Sequence, residues 1–357
     1  MTFLMAGGGT GGHVIPALAV ARELRRRGHE ARFLGTERGL EARLVPAAGF
    51  PIHYIRIGGL KRLGWRRQVV TLFQLGQATA HMIGRLRVER PAAVFSMGGY
   101  VAGPAVLAAL ALRIPVVVME PNAHPGITNR AIGRRVARAL LSFPETARFF
   151  PRGKTELTGV PVREEFFALP PRRREGSFHV LITGGSHGSR TLNNAARESW
   201  PLFREAGIPV RWLIQSGREA FEELRAEFTA SGMEGEVVAF IEDMSGAFAE
   251  ADLIVCRAGA GAVAEVAAAG KPALLVPFPF AADDHQTRNA EAFARSGAAF
   301  LVPDREMSGR KLFEAIRELA AAPAELERMG HTARSMARQG AAARAAEALI
   351  HAAVSRL

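Results

Sequence analysis

Cysteine is nearly absent from this chain. Cys256 stands alone among 357 residues, which excludes an intrachain disulfide and a Cys-rich metal centre and fits a reducing compartment. Long apolar runs are missing as well. The longest, residues 101–112, stops at Arg113 after 12 residues, short of the roughly 20 that span a bilayer. The N-terminus has no basic segment and glycines interrupt its apolar run from residue 7, so no signal peptide is expected. Aromatic residues make up only 7% and form no recognisable nucleic-acid module with the basic ones. No group of His, Cys, Asp and Glu has metal-ligand spacing. Acids are the scarcer charge: 34 against 46 Lys plus Arg leave a formal +12. Such an excess suits an anionic partner, whether nucleic acid, an acidic membrane surface or a phosphorylated substrate. The expectation is a cytosolic protein that can be peripheral on a membrane, and 357 residues suggest two domains.

What the chain does have is glycine in tight turns. Residues 3–24 read FLMAGGGTGGHVIPALAVAREL. A short apolar run meets six residues of which five are glycine, then His13, then Val14, Ala17, Leu18, Ala21 and Leu24 at helical spacing. That pattern is a buried strand, a glycine turn and an amphipathic helix. Glycine lets the backbone take φ > 0 and lets a ligand approach the peptide N–H groups. The helix start adds unpaired donors and a partial positive charge that suit an anion. Gly7, Gly9 and Gly12 satisfy G-x-G-x-x-G, a weak pattern that a turn without a ligand also satisfies. No Lys-Ser/Thr pair follows, so this is not a P-loop, and Glu37 lies about 30 residues past Gly7, later than the ~20 usual for a nicotinamide site.

Strand-like runs at residues 31–35, 52–57, 93–96 and 116–119 alternate with helical patterns such as 103–112 and 127–139, which indicates βαβ units and a parallel sheet. A second glycine turn, residues 97–103, follows the 93–96 run. Loops at the carboxyl ends of parallel strands gather at one edge, where ligands bind. The opening recurs near mid-chain, where HVLIT (179–183) runs into GGSHGS (184–189) and a helix. Residues 210–214, 237–241, 253–256 and 273–276 continue as strands. We therefore expect an α/β protein of two doubly wound domains, 1–160 and 161–340. Their boundary falls within 149–174, and a helical 341–357 can pack back on the first domain. The basic run at 170–174 is a linker or an exposed loop.

Residues 60–87 differ in character. Lys61, Arg62, Arg66 and Arg67 accompany Trp65, Val69, Val70, Leu72, Phe73 and Leu75, and Arg85 and Arg87 close the segment. It can lie on an anionic membrane surface, or it is an ordinary surface helix with solvated arginines. Two further stretches carry candidate chemistry. DLIVCRAGAGAVAE (252–265) is a strand, a small-residue turn and a helix with one acid on its second turn. Small residues permit close approach to a diphosphate, and Glu265 either accepts hydrogen bonds from ribose hydroxyls or sits on a solvent face. In PFPFAADDHQTRNA (277–290) polar side chains crowd a strand-to-helix junction. They could bind a sugar, and Asp283 could equally be only an N-cap.

Eight motifs then occur in order: GGGTGGHVIPALAVA (7–21), SMGGYVAGP (96–104), EPNAHPGITNR (120–130), GVPVR (159–163), GGSHGS (184–189), FIEDM (240–244), CRAGAGAVAE (256–265) and DDHQTRNA (283–290). Together they resemble the MurG family of bacterial N-acetylglucosaminyltransferases over nearly the whole chain. The resemblance implies the GT-B fold, two Rossmann-like domains facing a cleft. It implies transfer of GlcNAc from UDP-GlcNAc to lipid I, undecaprenyl-diphospho-MurNAc-pentapeptide, forming lipid II for peptidoglycan synthesis. It further implies a peripheral protein on an anionic membrane surface at the cytoplasmic face, with lipid I on the N-terminal domain and UDP-GlcNAc on the C-terminal one. No cofactor, metal or nucleic acid is implied.

By motif match, Ile241 meets the uracil through its backbone and Glu265 meets the ribose hydroxyls. Ser186 and the turn of Ala260, Gly261 and Ala262 contact the diphosphate, Val263 and Ala264 complete the substrate-binding stretch up to Glu265, and Arg163 reaches the nucleotide. Gln286, with His285, binds GlcNAc hydroxyls. Thr10, Gly11, Gly12 and Asn122 close on the donor or acceptor from the N-terminal side. The chain departs from the pattern twice: the family's GGSQGA is GGSHGS, and Ala262 stands where a Thr is frequent, so backbone N–H groups must serve there.

In this family the donor is α-linked and the product β-linked, which implies direct displacement by the acceptor's C4 hydroxyl. That hydroxyl needs a base. His13 is the candidate, because a helix N-terminus disfavours its cation and keeps the imidazole able to accept a proton near pH 7. It can equally fix the turn or bind the acceptor diphosphate. Two other readings stay open: another UDP-sugar enzyme of this fold, either a transferase with a different acceptor or an epimerase, and a non-catalytic nucleotide-binding protein at membranes. In the first reading the opening glycine turn is an acceptor and catalytic loop rather than a cofactor loop.

Overall fold

A computed structural model describes residues 1–9, 11–57, 65–170 and 176–355, without the side chains of 65–72. Thr10, Lys61, Arg62 and residues 171–174 lie outside the described residues, as do the side chains of Trp65, Arg66, Arg67, Val69, Val70 and Leu72. The chain divides into two compact units, Met1–Pro161 with Gly340–Leu357, and Val162–Gln339.

The first unit is a parallel sheet of β1 (Thr2–Ala6), β2 (Glu30–Gly35), β3 (Ile52–Tyr54), β4 (Ala93–Ser96), β5 (Val116–Glu120), β6 (Arg138–Leu141) and β7 (Thr155–Leu157), in the order β3-β2-β1-β4-β5-β6-β7. Its helices are α1 (Gly11–Arg26), α2 (Glu41–Ala47), α3 (Trp65–Glu89), α4 (Gly99–Ala111) and α5 (Ile127–Ile132). Helices cover both faces, so the strands are continuous apolar runs rather than alternating ones. Phe3 and Met5 of β1 pack with Val14, Ala17, Ala21 and Leu24 of α1. Leu4 and Ala6 pack on the other face with Met82 and Leu86 of α3 and Ala102 and Val106 of α4. The strand order reverses between β1 and β4, the place at the carboxyl ends of a doubly wound sheet where ligands bind. There the Met97 N–H donates to the Ala6 carbonyl at 3.0 Å.

The second unit repeats the plan with β8 (Phe178–Thr183), β9 (Val210–Gln215), β10 (Glu234–Val238), β11 (Leu253–Cys256), β12 (Ala273–Leu275) and β13 (Ala299–Leu301), ordered β10-β9-β8-β11-β12-β13 and again parallel. It carries α6 (Glu164–Phe167), α7 (Arg190–Ala206), α8 (Phe221–Ser231), α9 (Met244–Glu250), α10 (Ala260–Ala269), α11 (His285–Ser296), α12 (Gly309–Ala320) and α13 (Pro323–Met336). The reversal lies between β8 and β11. Its core is more aromatic, with Phe203 meeting Trp212 edge to face at 5.3 Å. The last helix, α14 (Ala341–Val354), belongs to the first unit. Ala345, Ala346, Leu349 and Ala353 join the core that holds Phe3 and Ala21, and the Arg344 guanidinium donates to the Thr158 carbonyl at 2.7 Å.

Four expected elements differ. The strand expected at 52–57 stops at Tyr54, and the turn expected at 97–103 is already helix from Gly99. Residues 127–139 read as one helix, but α5 ends at Ile132 and a 3-10 turn leads into β6. Gly133 fits tightly against Phe150, and the Ala137 N–H donates to the Val116 carbonyl at 2.8 Å, so pairing with β5 claims the end of the segment. The strand expected at 237–241 runs over Glu234–Val238 instead. The Ile241 N–H is taken by the Gln215 side chain rather than by a neighbouring strand, and Asp243 already caps α9. Among the described residues, no helix is long and apolar enough to cross a membrane.

Candidate functional site

In the first unit, the glycine turn after β1 and the one after β4 meet. A side chain on Gly7 would press on Met97 at 2.8 Å, and one on Gly99 would stand 3.2 Å from the His13 ring. Gly9, Gly98 and Gly99 all have positive φ, between +76 and +87°, the region that favours glycine. His13 sits in the first turn of α1, half-buried, with its Nδ1 3.2 Å from the Gly8 carbonyl. A carbonyl only accepts, so Nδ1 carries the proton and Nε2 is the basic nitrogen. Gly11 and Gly12 head the same helix, whose first turn holds no acid, leaving its positive end for an anion.

Asn122 lies on the loop after β5, held from beneath by Glu120. The Glu120 carboxylate is 1% exposed. It accepts the Asn122 N–H and side-chain amide through Oε1, each at 3.1 Å, and the Gly126 N–H and Asn129 amide through Oε2, at 3.1 and 3.0 Å. Burial raises its pKa, and these four donors work against that rise. The Asn122 nitrogen is thereby committed inward.

The second unit gathers its own set. After β8, Gly185 and Gly188 take φ of +81 and +73°, and the chain at Gly188 touches the backbone of Ser216. Ser186 is exposed on this turn, and Ser189, the last residue of the GGSHGS motif, caps α7 by accepting the Leu192 N–H. That capping bond gives the departure from GGSQGA a structural use, worth about 1 kcal/mol. Gln215 is buried at the end of β9, donating to the Gly185 carbonyl at 2.7 Å and accepting the Ile241 N–H at 2.9 Å. Of the helix-start residues, Val263 is buried and its N–H bonds within the helix to Gly259. Ala264 lies one residue deeper in the helix, so the orphan donors at the head of α10 belong to Ala260, Gly261 and Ala262. Space beyond Gly261 is open, and the first turn of α10 carries no acid.

Glu265 keeps part of its surface open to solvent. Surrounding protein desolvates it and pushes its carboxyl up to about 7, while the Arg163 guanidinium pulls it down. Arg163 also acts on Asp243, whose carboxylate is held below its usual range by the Gly246 N–H and the Ser245 hydroxyl. Arg163, Asp243 and Glu265 thus share one neighbourhood. Gln286 accepts the Phe278 N–H at 2.9 Å through Oε1, and its amide nitrogen lies near Gly259. His285 stands beside it with Nδ1 2.6 Å from the Ala282 carbonyl. Among the described residues, no group of three or more His, Cys, Asp or Glu is arranged to hold a metal ion.

The sequence reading did not single out the residues that hold these loops: Gln215, Asn289, Arg257 and Glu41. Asn289 donates to the Ala258 carbonyl at 3.1 Å and ties α11 to the head of α10. Arg257 binds the carbonyls of Val276 and Pro277 and pairs with Asp304. Only Gln215 ends a strand; Glu41 and Asn289 lie on helices and Arg257 just past β11, so no shared local signal marks them.

The N-terminal half, residues 3–141, matches the glycosyltransferase family 28 N-terminal domain, and residues 179–347 match the glycosyltransferase family 28 C-terminal domain. A protein of Solibacter usitatus called UDP-N-acetylglucosamine--N-acetylmuramyl-(pentapeptide) pyrophosphoryl-undecaprenol N-acetylglucosamine transferase is 63% identical over 98% of this chain and 95% of its own. One of the same description from Nitrosococcus oceani is 44% identical over 96% of each. A crystal structure of MurG from Acinetobacter baumannii superposes with a TM-score of 0.84 at 34% identity, covering 98% of this chain and 99% of that one. The two-unit parallel architecture, the glycine turns at both reversal points and these similarities agree, and the chain belongs to the MurG family of glycosyltransferases.

Proposed function

We infer that the protein transfers GlcNAc from UDP-GlcNAc to the C4 hydroxyl of MurNAc in lipid I, forming lipid II with inversion at the sugar. The second unit is the donor side. The observation that carries this is the head of α10, where open N–H donors stand one turn from the half-buried Glu265. Ala260, Gly261 and Ala262 offer backbone N–H groups to the diphosphate, with Ser186 on the adjoining turn, and the Glu265 carboxylate accepts from the ribose diol. Because the Ile241 N–H is committed to Gln215, a backbone contact from Ile241 to uracil runs through its carbonyl, which accepts the N3–H. Gln286 and His285 meet the sugar. Arg163 and the helix starts stabilise the charge that gathers on UDP as the C1–O bond breaks.

The first unit is the acceptor side. His13 Nε2 takes the proton of the C4 hydroxyl as its oxygen attacks C1, and UDP departs with the bonding pair. Gly11, Gly12 and Asn122 line the acceptor's approach. Radiolabelled transfer from UDP-GlcNAc to a lipid I analogue tests the activity. UDP release or epimer formation without transfer would instead mean a different UDP-sugar enzyme, and binding without turnover a non-catalytic protein. A folded His13→Ala variant should lose ~10²-fold or more in kcat, and full turnover would remove His13 from the chemistry.

The exposed Phe73 on α3 favours a peripheral place on an anionic membrane at the cytoplasmic face. Phe73 is 65% exposed, while the opposite face of the helix, with Met82 and Leu86, is packed in the core. An aromatic side chain presented this way, on a chain of net charge +12, suits insertion among lipid headgroups.

A further inference from the structure

Glu41, the first residue of α2, is fully buried. Its Oε2 accepts the Gly9 N–H at 2.8 Å, and its Oε1 accepts the Thr36 N–H and hydroxyl, each at 2.8 Å. The seat is built for it. A Cβ on Gly8, Gly35 or Gly39 would overlap the Glu41 side chain. None of these three glycines has a positive φ, so space, not conformation, calls for glycine at all three. Burial alone would raise the pKa of this carboxyl, but the Gly9, Thr36 and Glu41 N–H groups outweigh it and hold it below the usual range. A buried anion is costly, and the core packing would be served by an apolar residue.

What the carboxylate grips is one peptide unit. The Gly9 N–H that it accepts and the Gly8 carbonyl that meets His13 Nδ1 belong to the same planar amide. Glu41 and His13 therefore address opposite edges of that amide. Holding the N–H fixes the plane and the direction of the carbonyl, and a negative acceptor on one side polarises the amide and strengthens the bond on the other. The carbonyl in turn dictates which imidazole nitrogen carries the proton.

We propose that Glu41 is a positioning residue for the transfer reaction, orienting His13 and fixing its tautomer through the Gly8–Gly9 peptide. It touches no substrate, and no proton passes along the relay. The proposal rests on the role of His13 inferred above.

Glu41→Gln should lower kcat for transfer to a lipid I analogue about tenfold or more, with the KM for UDP-GlcNAc changed by less than about twofold. The same substitution in a His13→Ala background should lower kcat further by less than about twofold, since two residues acting through one step are not additive. Gly39→Ala, which leaves the carboxylate in the chain but displaces it, should reproduce the kcat loss without removing the charge. It gives a second reading if Glu41→Gln does not fold. Equal losses in both backgrounds, or folded variants with unchanged kcat, would overturn the proposal. The His13→Ala protein alone reads the role of His13, so failure of that role and failure of the relay are seen separately.

Discussion

The buried Gln215 amide accepts the Ile241 N–H at 2.9 Å and with its nitrogen reaches the Gly185 carbonyl at 2.7 Å. One side chain thus sets the position of two loops that follow different strands, the ones to which the proposed function assigns the diphosphate and the base. Gln215→Leu keeps the volume and orphans both backbone groups, at a cost of about 1–3 kcal/mol each. The melting temperature should fall, and the KM for UDP-GlcNAc should rise about tenfold with kcat little altered. Calorimetric titration with UDP checks the binding half of this statement.

With Glu265 as the proposed ribose acceptor, donor binding should depend on pH. Its pKa of about 7 means that the carboxylate form, the one able to accept two ribose hydroxyls, is lost as pH falls through 7. The KM for UDP-GlcNAc should rise in that direction, while Glu265→Gln should bind weakly with a flat profile over the same window. Stability of the unliganded protein runs the other way. Between the ordinary glutamate value of 4.5 and about 7 the folded state holds more protons than the unfolded one, so stability falls as pH rises through this range. Glu265→Gln should remove that slope in urea titrations at different pH.

The Arg257–Asp304 pair holds the loop that leads to Gln286, which the proposed function assigns to the sugar. Arg257 binds the Val276 and Pro277 carbonyls at 3.1 and 3.2 Å, and the next N–H, on Phe278, is the one that Gln286 accepts. Asp304→Ala leaves the guanidinium largely buried without its counter-charge, which should destabilise the protein by roughly 3 kcal/mol. The urea midpoint should drop, and the donor KM should rise with it.

Membrane association can be read by sedimentation. Changing Trp65, Leu72 and Phe73 together to Ser should reduce the fraction that pellets with anionic vesicles, and should leave transfer to a soluble lipid I analogue unchanged. Unaltered pelleting would exclude α3 as the contact. The described end of the helix already qualifies its basic character: Arg85 pairs with Glu89 at 2.7 Å and lies against His53, so it is not a lone cation facing outward.

The alternating pattern and the family were legible because their signals are local. An apolar run followed by glycines and then by residues at helical spacing describes itself, twice, at residues 3–24 and again from residue 179. Where a segment's fate depends on a distant partner, local pattern does not decide it. The helical periodicity of residues 127–139 yields to strand pairing with Val116, and Ile241 leaves the strand because Gln215 takes its N–H.

Sequence alone determined the two doubly wound units, the glycine turns at their reversal points and the kinship with lipid-linked sugar transferases, since strand, turn and helix propensities act over a few residues. Only the tertiary structure decided which groups those turns answer to. Glu41 lies 32 positions from Gly9, Gln215 lies 26 from Ile241, and Asn289 lies 31 from Ala258. A hydrogen bond between such residues exists only when packing has closed the chain between them, and no periodicity announces it. The same packing decided that the opening glycine turn, met first as a place for a phosphate, also has an inner edge, gripped by a buried carboxylate behind His13.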